Sequence, residues 1–173
     1  MKIARLTLLS LLLCASLLFC ACADDVYRND VSAAAAADAV SAALPQIGRH
    51  AASDDYVSVS AFGEDRDWLL DKTDSRVILL ADDSDVNIDE IGIFHVTDAK
   101  DVSRVKAILD EYVRSQKMRL KDLLISYNPG ELPKLDEAEV EVCGQYVMYT
   151  ILSDADTDTA EDAFERLLEI GDD

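Results

Sequence analysis

The chain has 173 residues, half of them hydrophobic, with 35 Asp and Glu against 16 Lys and Arg and a formal net charge of −19. That length fits one domain able to bury roughly two-thirds of its unfolded surface around a single core. The acidic excess repels phosphate backbones and anionic headgroups, which argues against nucleic-acid binding and against adhesion through a basic surface; its plainest consequence is solubility.

Lys2 and Arg5 form a short positive stretch ahead of the apolar run Leu6 to Phe19. That run is too short to span about 30 Å of hydrocarbon and has the character of a signal-peptide core. It ends in Phe19-Cys20-Ala21-Cys22, which resembles the lipobox of bacterial lipoproteins, where a small residue precedes the cysteine that receives diacylglycerol. Phe19 stands where leucine is commonest, and Cys20 where Ala or Ser is usual. The resemblance implies a signal peptide over 1–21, lipidation at Cys22, attachment to the cell membrane through that lipid, and a location on its extracytoplasmic face. Ala21-Cys22-Ala23 also satisfies the small-x-small rule for ordinary cleavage before Asp24, so secretion without lipid stays open. Cys14 and Cys20 leave with the signal, so Cys143 is left as the lone thiol once Cys22 is lipidated, and no disulfide framework is expected.

Residues 22–30 are polar and aperiodic and are expected to be a tether to a single domain over 31–173. Val31 to Leu44 is alanine-rich, capped by Asp30 and stopped by Pro45, and reads as a helix with a thin face for close packing. Gln46 to Asp55 reads as a polar loop with His50 exposed. Tyr56 to Ser60 alternates like a short strand, and Arg66 to Asp71 suggests one or two helical turns. Arg76 to Ala81 and Glu90 to Val96 are apolar runs joined by an acidic turn, as in an antiparallel hairpin. Asp98 caps a long helix reaching about Leu124, with Val102, Val105, Leu109, Tyr112, Val113, Leu120 and Leu123 at helical spacing. Tyr127 to Pro133 reads as a loop. Ala138 to Cys143 and Tyr146 to Leu152 form a second hairpin about Gly144-Gln145, and a last helix starts near Asp158 with Ala160, Phe164, Leu167 and Leu168 inward. Helix, two strands, helix, two strands, helix predicts an α+β fold: an antiparallel sheet of about four strands with helices packed on one face.

Several segments together resemble a family: Ile88-Asp89-Glu90-Ile91-Gly92-Ile93-Phe94, the long helix from Asp98, Tyr127-Asn128-Pro129 with Lys134-Leu135, and Gly144-Gln145-Tyr146-Val147 followed by Ile151-Leu152. Their order and spacing, over roughly Arg76 to Leu168, are similar to the domain-of-unknown-function family numbered 4358, small lipoproteins of gut-type Gram-positive bacteria. The resemblance implies an extracytoplasmic lipoprotein and brings no assigned activity, cofactor or catalytic residue.

Calcium is the one cofactor candidate. From Asp154, carboxylates at Asp154, Asp156, Asp158, Asp162 and Glu165 occupy positions 1, 3, 5, 9 and 12 of a calcium loop, with Glu165 as the bidentate ligand. Thr159 stands where that loop turns on glycine, and Glu161 where it has an apolar anchor. Capping and the helix dipole explain the same acids without a metal. The run Asp83 to Asp89 has Ile88 and Phe94 at positions 6 and 12 and reads as a solvated turn. Cys143 and His95 would make a nucleophilic pair only if brought within hydrogen-bond reach, and strand parity hints at opposite faces. The leading expectation is a non-catalytic binding or assembly module with an unidentified protein partner; a calcium- or small-ligand-binding lipoprotein comes second and a hydrolase third.

Overall fold

The computed structural model describes residues 27–45, 48–52, 62–83 and 87–170. The signal peptide, Cys22 and the strand expected over Tyr56 to Ser60 lie outside the described residues. The elements are α1 (Ala33–Ala43), β1 (Arg49–Ala51), α2 (Arg66–Lys72), β2 (Thr73–Ala81), β3 (Glu90–Val96), α3 (Val102–Tyr127), α4 (Leu132–Asp136), β4 (Glu139–Cys143), β5 (Tyr146–Ile151) and α5 (Asp154–Leu168). The fold is α+β, with all neighbours antiparallel in a sheet of order β1-β2-β3-β5-β4.

The helices cover both faces of this sheet, not one. On one face Ile91, Ile93, Cys143, Tyr146 and Met148 pack against Ala33, Ala36, Ala37 and Val40 of α1 and Ala160, Phe164 and Leu168 of α5. On the other, Ile78, Phe94, Val147 and Tyr149 pack against Leu69 of α2 and Val105, Ile108, Leu109 and Tyr112 of α3. The physical reason lies in β3 and β5, every residue of which is buried. Strands apolar at both parities must be covered twice, whereas a one-sided sheet alternates apolar with polar. The strand count is five because Arg49–Ala51, inside the expected polar loop, pairs with Leu79–Ala81.

Local chemistry sets the element ends. Ser32, not Asp30, caps α1 by accepting from the Ala35 amide at 3.1 Å, while Asp30 accepts from the Arg28 guanidinium at 2.7 Å. Asp98 accepts from the Lys100 amide and opens the 3-10 turn Ala99–Asp101 ahead of α3. The expected loop after α3 is instead a 3-10 turn, Pro129–Glu131, followed by α4. Pro129 and Pro133 stand in first-turn positions, where the missing N–H costs nothing. Gly144 sits at φ +59° in the β4–β5 turn, a conformation that favours glycine. Part of the expected tether belongs to the domain: Tyr27 bridges to Glu169, and the Arg28 amide donates to the Leu168 carbonyl at 2.9 Å.

Gly92 faces Tyr149 across the β3–β5 ladder, and a Cβ on it would lie 2.0 Å from the Tyr149 ring. Gly92→Ala is therefore expected to lower unfolding free energy by about 1–3 kcal/mol in urea titrations. Combining it with Tyr149→Leu should recover part of that loss, and a fully additive double variant would contradict the steric account.

Candidate functional site

The most densely built polar site lies where the β2–β3 connection meets α4. The Asp89 carboxylate, 1% exposed, takes Arg49 Nη2 at 2.9 Å and Lys134 Nζ at 2.6 Å. Lys134 Nζ also donates to Glu131 Oε2 at 2.7 Å and Asn87 Oδ1 at 3.0 Å. Glu131 Oε2 accepts from the Ile88 amide at 3.0 Å, and Asn87 Oδ1 from the Asp89 amide at 2.8 Å. Burial works against the Lys134 ammonium, but its hydrogen bonds to Asp89 and Glu131 prevail and hold its pKa above the ordinary lysine value.

One residue on, Glu90 turns to the α3 face. Its Oε1 accepts from the Tyr112 hydroxyl at 2.6 Å and the Tyr149 hydroxyl at 2.5 Å. Asp89 and Glu90, together with Gln116, Arg119 and Leu120 of α3 and Leu80 of β2, line a cleft of 260 Å³. Gln116 is buried, and its Oε1 accepts from Arg119 Nε at 3.2 Å. The lining residues bring carboxylates, amides and a guanidinium but no hydroxyl, thiol or imidazole. Such a set can hold and orient polar groups.

The expected calcium residues fall elsewhere, in a different geometry. Asp154, Asp156 and Asp158 form the opening of α5, which starts at Asp154 and not near Asp158. Ser153 caps this helix, and its hydroxyl donates to Asp156 Oδ2 at 2.8 Å. In a helix, successive carboxylates point around the axis instead of converging. Asp158 and Glu165 do share a 350 Å³ acidic groove with Glu141, Glu161 and Asp162, away from Asp154 and Asp156. Among the described residues no group of three or more His, Cys, Asp or Glu side chains is arranged to hold a metal.

Cys143 and His95 lie on the same face, not opposite ones, since both are opposite Tyr146 from either side of β5. The intervening strand separates their backbones by about 9–10 Å. Burial, aided by Glu141 and Glu165, pushes the Cys143 thiol up to about 12, so the nucleophilic thiolate is scarce at neutral pH. His95 Nδ1 lies 2.7 Å from Asp74 Oδ1, and its ring packs 4.4 Å from that of Tyr146. His50 is exposed, as expected, with Nδ1 2.9 Å from Asp82 Oδ1. The Asp89 cluster escapes sequence reasoning because Asp89 ends an acidic run that looks solvated. It stands one step before a strand whose residues are all buried, and the apolar run Ile91 to Phe94 within that strand is the signal that could have marked it as buried.

A five-stranded antiparallel sheet between two helical layers, with a polar cluster at one end, makes this an α+β domain of layered type. Residues 69–152 match the family model described as Domain of unknown function (DUF4358). No curated protein and no solved structure matches the chain. Asp89 and Lys134, from two of the segments that carry the resemblance, are direct ion-pair partners.

Removing one member of the cluster leaves buried charge uncompensated. Asp89→Ala is expected to cost about 3–5 kcal/mol in urea denaturation, and adding Lys134→Met should restore part of it. In the acidic groove, burial and then Glu139, Glu141 and Asp158 raise Glu161 to about 7. The folded carboxyl holds its proton to higher pH than the unfolded one, so stability falls as pH rises from about 4.5 to about 7. Glu161→Gln removes this decline: it should melt above the parent near pH 8 and close to it at about pH 4.5.

Proposed function

We propose that this protein is a lipid-anchored extracytoplasmic module that binds a protein partner and does no chemistry of its own. The observation that carries the reading is the placement of its reactive groups. Asp89, Glu90, His95 and Cys143 are all buried. Asp89 and Glu90, which border the cleft, are engaged by Arg49, Lys134, Tyr112 and Tyr149, and Cys143 is held as the thiol, which supports a structural use of these groups. The signal-like N-terminus and Cys22 supply the membrane attachment. The acidic surface keeps the domain soluble and off anionic headgroups.

Affinity purification from detergent-solubilised membranes, with the signal and Cys22 intact, tests both parts. One protein eluting in near-equal amount is expected, together with an N-terminal peptide that starts at Cys22 and carries the mass of diacylglycerol. Elution of the lipoprotein alone would overturn the binding module, and an unmodified N-terminus at Asp24 would overturn the anchor.

A further inference from the structure

The two ends of the sheet differ in what they present. At one end, Tyr27 sits against the Gly144 turn and bridges to Glu169, just after the tether. From there β5 runs from Tyr146 to Ile151, which packs with Leu124 and Leu135 at the other end. Six strand residues put these ends about 20 Å apart. At 26 residues α3 rises about 39 Å, and its C-terminal turns reach this end, where Leu124 packs with Ile151. There Met118 is 67% exposed, Leu123 52%, Ile125 53% and Tyr127 83%.

Charge singles out the same turns. Between Glu111 and Asp122 the chain carries Arg114, Lys117, Arg119 and Lys121, four of its 16 cations, and no acid. Arg119 and Lys121 pair with no carboxylate among the described residues. Arg114, Met118, Lys121 and Ile125 recur at i, i+4, i+7 and i+11, one stripe facing away from the core. Leu123 and Tyr127 continue the core stripe into solvent.

We propose that the C-terminal turns of α3 are the docking surface for a partner protein, through an acidic amphipathic segment of that partner. This rests on the binding-module reading above. Apolar side chains interleaved with four cations, of which Arg114 and Lys117 have carboxylate partners and Arg119 and Lys121 have none among the described residues, on a chain of net charge −19, complement a segment that is apolar on one side and acidic on the other. An anionic bilayer fits less well, because the overall charge repels it and the sheet separates this end from the tether.

The test is site-specific photo-crosslinking in the cells that make the protein, using the full chain with p-benzoylphenylalanine at Leu123 or Ile125 and, as a control at the other end, at Asn29. One protein adduct is expected from the first two positions and none from Asn29, with the linked partner peptide rich in Asp and Glu between helically spaced apolar residues. Lys121→Glu, at a position with no ion pair among the described residues, should lower the adduct about tenfold at unchanged melting temperature. A lipid adduct, an adduct to a second copy, equal labelling from Asn29, or indifference to charge reversal would overturn the assignment. If a protein co-purifies in near-equal amount but crosslinks only from elsewhere, this surface is wrong and the binding module stands. If neither a co-purifying protein nor an adduct is found, both fall.

Discussion

Everything in this fold depends on the two central strands being apolar on both sides. β3 and β5 expose none of their residues, so a single helical layer would leave half of their side chains in water. At roughly 1.5–3 kcal/mol for each large apolar side chain, no surface arrangement could offset that exposure. The second layer is therefore compulsory: α1 and α5 close one face, α2 and α3 the other. The alanines of α1 follow from the same requirement, because a helix that sits beside α5 above two buried strands has little room for side chains. Gly92 is a further consequence, an empty position opposite an aromatic ring that fills the space.

Much of this was legible in the residues and some was not, for physical reasons. Both hairpins, their turn glycine and the long helix announce themselves through periodicity and local turn chemistry, which act over a few neighbours. Segments whose structure is decided by distant contacts do not. Arg49–Ala51 is a strand only because the edge of β2 offers it backbone partners, and nothing in Arg-His-Ala favours extension. Asp154 to Asp158 illustrates two readings of one pattern. Alternate carboxylates suit a metal loop, yet Ser153 ahead of them makes them the first turn of a capped helix. Local capping wins there because it needs no ligand. The site was the least legible part: Asp89 and Lys134 meet only after two hairpins and a helix have brought them together.

The Asp89 cluster joins elements with few apolar contacts of their own. β1 is three residues long and α4 is five, and neither could hold its place by hydrophobic packing alone. Arg49 reaches from the edge strand, Lys134 from the short helix, and both end on one carboxylate beside the β3 backbone. Because buried ion pairs demand particular partners in a particular geometry, such a cluster specifies arrangement more than it adds stability.

The pairing of Tyr27 with Glu169 has a topological consequence. The first and last described segments leave the domain side by side, so the folded chain is nearly a closed ring. Since joining neighbouring ends costs little entropy, the order in which the elements are strung is separable from the shape they make. Cutting the ring at an exposed turn and sealing it between Tyr27 and Ile170 would leave every layer in place, and the seam would fall beside the turn at Gly144.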